Sequence, residues 1–209
     1  MWMAHCSMLV CAAPACGEPA GSGMGSATPA AAHAAHAVVG FWKEAGPRLW
    51  FAKDEAFDQR FRERFAAEHD AARRGDLDGW LAGAEGALAL CLLLDQYPRN
   101  SFRGTKRMYE SDEKARSVAD AAIRAGHDLV LDPTLALFVY LPFAHSESLA
   151  DQERSVALSR RLGSPTIQHA EGHRDIVRRF GRFPHRNPIL GRRMTPEEQR
   201  FLDEGGYSG

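Results

Sequence analysis

Two stretches of this chain carry most of the side chains that can do chemistry, residues 95–103 and residues 140–193. Both alternate charged and imidazole groups with short aromatic and aliphatic anchors, a spacing that indicates a shared site rather than scattered surface polarity. Guanidinium forks suit carboxylate or phosphate groups, whereas imidazole and carboxylate groups suit a metal ion or proton transfer. The sequence therefore indicates where a site lies, without giving its reaction.

The first hypothesis is a helical binding protein that holds a small anionic molecule or a peptide terminus in one groove. Asp95 continues the apolar stripe of its helix, where an unpaired carboxylate is costly, so we expect Arg99 or Arg103 to pair with it. Such a pair either fixes the turn after the helix or orients an arginine towards a bound anion. The candidate ligand-binding residues are Asp95, Arg99, Asn100, Arg103, His145, Glu147, Arg182, His185, Arg186 and Asn187.

The second hypothesis is a metal-dependent, hydrolytic enzyme. His169 and His173 are four residues apart on a predicted helix, so their rings project from one face, and Glu147 or Asp151 can complete the shell of one divalent ion. The same histidine spacing arises by chance in many helices, and both carboxylates also suit the first turn of a helix. The candidate metal ligands are His145, Glu147, Asp151, His169 and His173.

A third hypothesis is a scaffold for a protein partner, which predicts an exposed apolar patch and dispersed polar motifs. The sequence has no glycine-rich phosphate loop and no serine or cysteine in a GxSxG-like setting, so we expect neither a nucleotide cofactor nor a nucleophilic serine. Whether the protein is an enzyme stays open. The sequence does not indicate the oligomeric state.

The composition limits the kinds of partner and the cellular compartment that we expect for this protein. The net charge of −1 argues against a general binder of nucleic acid. No segment reaches the apolar length that spans a bilayer. The four cysteines form no CxxC pair, and nothing requires an oxidising compartment, so we expect a cytoplasmic protein.

From Val38 onward the apolar residues follow helical spacing, and no segment alternates with period two long enough to be a strand. Caps and breakers place the helix ends, and short loops favour antiparallel neighbours. The sequence therefore predicts an all-α fold of stacked antiparallel helical hairpins. Helices are predicted from Asp54 to Gly75, Asp76 to Pro98, Asp112 to Gly126, Asp132 past Leu141, Ser148 to Leu162, Ser164 to Phe180, and Thr195 past Leu202.

Residues 1–37 are rich in Ala, Gly, Pro and Ser and bury too little to offset their ordering entropy, so we expect a disordered extension. A weak secretory signal and a start codon placed too far upstream, with Met24 as the true start, are the alternatives. Residues 38–209 are expected to form a single helical domain.

Five motifs of this chain are the strings Leu94–Asn100, Phe102–Thr105, Tyr140–Glu147, Asp151–Gln152 and Arg179–Asn187. They resemble motifs of the bacterial domain-of-unknown-function family nine-two-four, in the same order, and the resemblance extends over nearly all of residues 38–201. The resemblance implies an all-helical fold similar to tetratricopeptide-repeat proteins, as a superhelix or a bundle. It implies no activity, substrate or cofactor.

Overall fold

The computed structural model describes residues 29–208, and every regular element in this part of the chain is helical. The predicted all-α fold is confirmed. None of the helices described there has the length and apolar character needed to cross a membrane. The α-helices are α1 (Pro29–Trp50), α2 (Glu55–Arg74), α3 (Ala84–Cys91), α4 (Tyr97–Ser101), α5 (Asp112–Arg124), α6 (His127–Val130), α7 (Pro133–Ala144), α8 (Leu149–Ser159), α9 (Thr166–Phe180), α10 (Asn187–Leu190) and α11 (Pro196–Asp203).

Helix ends with strong local signals lie where the sequence predicts them. The Asp54 side chain accepts a hydrogen bond from the Phe57 backbone N–H at 2.8 Å, and Gly75 closes α2 with a left-handed φ of 88°. Thr195 and Glu198 form the reciprocal capping box that begins α11. These signals act within one turn of the backbone, so they can be recognised in the sequence without knowledge of the rest of the fold.

The single helix predicted from Asp76 to Pro98 is wrong. Residues Asp78–Ala82 form a 3-10 turn, and Gly83 then adopts an extended conformation before α3 begins. After α3 the backbone widens into a π turn over Leu92–Gln96 and continues into α4, which carries Pro98 in its first turn. A proline there needs no N–H partner, so it does not end the helix.

Part of the predicted disordered extension is helical. Helix α1 begins at Pro29, because its later residues find partners in the body of the protein. Ala35 is buried at 4% exposure, and the ring of His36 lies 3.0 Å from the Glu85 carboxylate. Residues 1–28 of the predicted extension lie outside the described part of the chain.

Helix α3 and the π turn lie at the centre of the core. Every residue from Ala87 to Leu94 is fully buried, and α3 packs against α1, α5 and α7. Phe57 and Phe61 of α2 pack against Trp42 of α1. Consecutive helices α7, α8 and α9 pack as neighbours, as their short connections predict. The first polar side chains after this buried run belong to residues 95 and 96.

Two helical glycines give opposite predictions for alanine. A Cβ on Gly86 overlaps the Trp80 carbonyl oxygen, which forces a backbone shift, whereas a Cβ on Gly40 meets nothing within 4 Å. Gly86→Ala is expected to lower the free energy of unfolding by about 2–3 kcal/mol through overpacking. Gly40→Ala is expected to raise it by about 0.5–1 kcal/mol through helix propensity. Urea unfolding of both variants measures the two shifts, and a neutral Gly86→Ala contradicts the close packing.

Candidate functional site

The π turn is held open by donors from elsewhere in the fold. A π turn leaves carbonyls without their usual helical partners, and such turns often occur at functional sites. The His69 ring donates from Nδ1 to the Leu93 carbonyl at 2.8 Å, and the Ser111 hydroxyl donates to the Leu94 carbonyl at 2.7 Å. These two hydrogen bonds anchor the turn immediately before Asp95.

Asp95 is the buried centre of the site. One carboxylate oxygen lies 2.8 Å from His145 Nδ1 and 3.1 Å from Arg99 Nη1, and the other accepts from the Gln96 amide at 2.7 Å. Burial alone raises the pKa of this carboxyl, but Arg99 and His145 outweigh it and hold the pKa at about 2. Asp95 is therefore ionised at neutral pH, and the predicted pair with Arg99 is confirmed.

This carboxylate fixes the proton of His145. Burial, followed by the neighbouring Arg99 charge, lowers the pKa of the imidazole below 6.5, so the ring is neutral at pH 7 and carries one proton. Because an ionised Asp95 can only accept, that proton is on Nδ1. The other ring nitrogen, Nε2, then carries a lone pair.

Arg186 is buried between two aromatic rings. Its guanidinium carbon lies 4.7 Å from the Tyr109 ring centroid and 4.6 Å from that of Phe183, and the residue is 7% exposed. Nη2 donates to the His145 carbonyl at 2.9 Å, and Nη1 lies 3.7 Å from Asp112. Within residues 29–208 the buried Nε has no hydrogen-bond partner. Burial and the Arg99 charge lower the pKa of this guanidinium.

Asp112 connects the two arginines but engages them unequally. Its carboxylate accepts from Arg99 Nη1 at 2.9 Å and Nη2 at 3.2 Å, a two-pronged contact that matches the guanidinium fork. The 3.7 Å contact with Arg186 is longer than a hydrogen bond. Asp112 therefore neutralises Arg99 more completely than Arg186.

The segment that carries Arg186 is tied to the end of α7 by an ion pair. The Glu147 carboxylate accepts from Arg192 at 2.6 and 2.9 Å and from the Phe183 backbone N–H at 2.8 Å. Burial favours the neutral acid, but these donors lower the pKa of Glu147 below its ordinary value. Arg192 also donates to the Asn187 side chain at 2.9 Å. Glu147 and Asn187 thus position the segment on which Arg186 lies.

These groups border an open cleft of about 400 Å³, within the size range of small-molecule sites. Arg116 lies at its wall with Nε 3.5 Å from Asp151, and the Ser146 hydroxyl donates to Asp151 at 2.6 Å. The lining residues are Tyr109, Asp112, Arg116, His145, Ser146, Glu147, Ser148, Asp151, Arg186 and Leu190.

The structure does not bring all the predicted ligand-binding residues to this cleft. Arg103 instead forms an ion pair with Asp58 and donates to the Ala52 carbonyl, because α2 presents a carboxylate to it. Arg182 forms a two-pronged pair with Glu198, the capping residue of α11. The single groove that was predicted to hold both arginines is therefore wrong.

Of the other predicted residues, Asn100, His185 and Asn187 do not line the cleft. Asn100 is buried in α4 and Asn187 begins α10. The His185 ring packs against Phe183 and Tyr207, with centroid separations of 5.6 and 5.2 Å. Of the ten predicted ligand-binding residues, His145, Glu147 and Arg186 line the cleft. Asp95 and Arg99 do not line it, but they pair with each other and contact the lining residues His145 and Asp112.

The predicted metal set is not gathered into one shell. Residues 29–208 contain no group of three or more His, Cys, Asp or Glu side chains that could hold a metal ion. Glu147 is occupied by Arg192, and Asp151 by Ser146. His173 packs between Phe183 and Tyr207, with centroid separations of 5.5 and 4.6 Å. The helical spacing of His169 and His173 therefore does not make a metal site with these carboxylates.

Sequence reasoning did not identify several residues of the site, among them Tyr109, Asp112, Arg116, Ser146 and Arg192. Asp112 was identified only as a helix start, a position that favours a carboxylate whatever its partner. Its spacing of four from Arg116 places both on one face of α5, and this was the available signal. Tyr109 lies in a 3-10 turn with no motif of its own.

Comparisons with known proteins place the chain among proteins without an assigned activity. The family described as "Bacterial protein of unknown function (DUF924)" matches residues 38–206. A solved protein of unknown function from Agrobacterium tumefaciens, ATU0120, is similar to this chain, with 57% sequence identity and a TM-score of 0.82. The match covers 83% of this chain and 99% of the other. No curated protein matches the chain.

Proposed function

We propose that this chain, which belongs to the bacterial protein family of unknown function DUF924, binds a small anionic molecule or the carboxylate of a peptide terminus in the cleft beside Arg186. The observation that carries the proposal is the Arg186 Nε atom, which is buried and lacks a protein acceptor among the described residues. A buried donor without a partner costs about 1–3 kcal/mol, and an anionic oxygen that reaches Nε from the cleft would remove that cost.

The charges around the cleft support a site for an anion at Arg186 rather than at Arg99. Asp95 and Asp112 together surround Arg99, whereas Arg186 has only the long contact with Asp112. The two aromatic faces fix the plane of the Arg186 guanidinium, so its donors are oriented before a ligand arrives. A planar, pre-oriented fork suits carboxylate and phosphate oxygens.

Arg116 supplies a second cation at the same cleft. Its side chain is 29% exposed and its contact with Asp151 is 3.5 Å long, so the guanidinium can turn towards a ligand at little cost. A bound anion would then lie between a buried, fixed guanidinium and a mobile one. Both guanidinium groups lie at one cleft, so only one end of an extended polyanion would meet them. The arrangement therefore favours small anions over extended polyanions.

The proposal predicts stabilisation by inorganic phosphate or acetate. At a ligand concentration of ten times Kd, the free energy of unfolding rises by about 1.4 kcal/mol relative to sodium chloride of equal ionic strength. Arg186→Lys keeps the charge but removes Nε and the planar fork, so this gain is expected to disappear. Arg116→Gln is expected to weaken binding about tenfold without loss of fold. Thermal unfolding with each anion measures these shifts.

Arg124→Gln is the matched control, because Arg124 lies on the same helix as Arg116, is 72% exposed and does not line the cleft. This variant is expected to respond to both anions as the unmodified protein does. Equal stabilisation of Arg186→Lys, Arg116→Gln and the unmodified protein contradicts binding at this cleft. Stabilisation by neither anion contradicts the proposed function.

A further inference from the structure

We propose that the cleft selects small oxyanions that carry their own O–H donor, such as hydrogen phosphate or a hydroxy acid, because His145 offers the ligand only an acceptor. The inference rests on the proposed function and names the ligand class more narrowly. Arg186 recognises the anionic oxygen, and His145 Nε2 accepts the ligand's hydrogen. His145 is thus assigned a role in specificity.

The first step of the argument is the direction of the Asp95–His145 hydrogen bond. Asp95 is fully buried, and both of its carboxylate oxygens accept hydrogen bonds from protein donors. An ionised carboxylate cannot donate, so the 2.8 Å contact requires the proton on Nδ1. A buried acid that orients a histidine in this way determines which nitrogen is available at the opposite side.

The second step is the surroundings of Nε2. His145 lines the cleft with 14% of its side chain exposed, and no described residue hydrogen-bonds its Nε2. A lone pair that faces an anionic oxygen without an intervening hydrogen is repelled by it. A ligand O–H converts that repulsion into a hydrogen bond.

The third step is the neighbouring hydroxyl. Ser146 is next in the chain, and its Oγ donates to Asp151 at 2.6 Å while it accepts from the Ser148 N–H at 3.2 Å. Its single hydrogen is therefore in use and is not offered to an anion. The wall beside Arg186 thus presents acceptors at both His145 and Ser146. Guanidinium donors that lie beside two acceptors match an anion that brings a hydrogen of its own.

Two pairs of probes test this selection. Inorganic phosphate keeps at least one O–H at about pH 7.5, whereas sulfate, which has a similar size and shape, has none. Glycolate carries a hydroxyl that acetate lacks. The unmodified protein is expected to bind phosphate about tenfold more tightly than sulfate, or glycolate about tenfold more tightly than acetate, because a site built around an acceptor rejects the analogue without the donor. Isothermal titration at matched ionic strength measures the ratios.

His145→Gln is the test variant, since a glutamine amide can turn to donate or to accept. The preference is expected to fall to within about twofold in this variant and to persist in Arg124→Gln. If His145→Gln does not fold, ¹⁵N NMR of the unmodified protein replaces it. The Nε2 resonance of His145 is then expected to shift with phosphate or glycolate and to stay in place with sulfate and acetate.

The outcomes separate this inference from the proposed function. A preference in the phosphate pair alone assigns a tetrahedral ligand, and a preference in the glycolate pair alone assigns a hydroxy acid; both support the inference. Equal binding within both pairs, or a preference that survives in His145→Gln, overturns the role of His145 while anion binding stands. If none of the four probes binds, the proposed function itself is wrong.

Discussion

Asp95→Ala is expected to lower the free energy of unfolding by about 3–5 kcal/mol, the largest loss that we expect from a single substitution in this protein. The carboxylate is fully buried, accepts hydrogen bonds from His145 and Gln96 and forms an ion pair with Arg99. Its removal leaves a buried guanidinium with Asp112 as its remaining acid and leaves the His145 N–H without an acceptor. The loss thus combines an incompletely compensated positive charge with an unsatisfied donor.

Asp120→Ala is the matched control for this substitution. Asp120 is paired with two arginines, Arg124 and Arg154, at 2.7 Å, but all three side chains are partly exposed. Water replaces the lost contacts there, so we expect a change below about 1 kcal/mol. Urea unfolding of both variants at neutral pH provides the comparison. Equal losses in the two variants would falsify the view that Asp95 is the buried centre of the site.

The sequence predicts those parts of this fold that depend on neighbours within one helical turn. The Asp54 cap, the left-handed Gly75 and the Thr195 capping box each satisfy backbone groups only a few residues away. The break at Gly83 was missed for the opposite reason. It depends on how Trp80 packs against α3, where the close approach of Gly86 to the Trp80 backbone leaves no room for a side chain.

The site was only partly predictable for a similar physical reason. Asp95 was recognised because a carboxylate on an apolar stripe needs a partner, and Arg99 is four residues away on the same face. His145 reaches the same carboxylate across fifty residues of sequence, and no spacing rule reports such a contact. Arg103 shows the converse, since it has the right charge near Asp95 and yet pairs with Asp58. Residue type indicates that a buried charge is paired, whereas the fold decides the partner.

The second large effect is a loss of stability in mild acid. Burial, followed by neighbouring positive charge, lowers the pKa of His173 to about 3 and of His185 to about 4. In the unfolded chain both rings titrate near pH 6.5, so below that pH the unfolded state binds more protons than the native state. Stability is therefore fully present above about pH 6.5 and falls as the pH drops towards 4. We expect a loss of at least about 2 kcal/mol between pH 6 and pH 5, from two protons at about 1.4 kcal/mol per pH unit each.

This window separates the histidines from the acids, because Asp95 and Glu198, each with a pKa of about 2, affect stability only below about pH 4.5. Urea unfolding at intervals from pH 7 to pH 5 gives the slope of the free energy of unfolding against pH. That slope gives the number of protons that the chain takes up when it unfolds. His185→Gln is expected to reduce that number by about one, and replacement of the exposed His33 is the matched control. An unchanged slope in His185→Gln would show that this ring is not held neutral. The titratable and charged groups near the two rings are Arg186, Arg192, Glu147, His145 and His169.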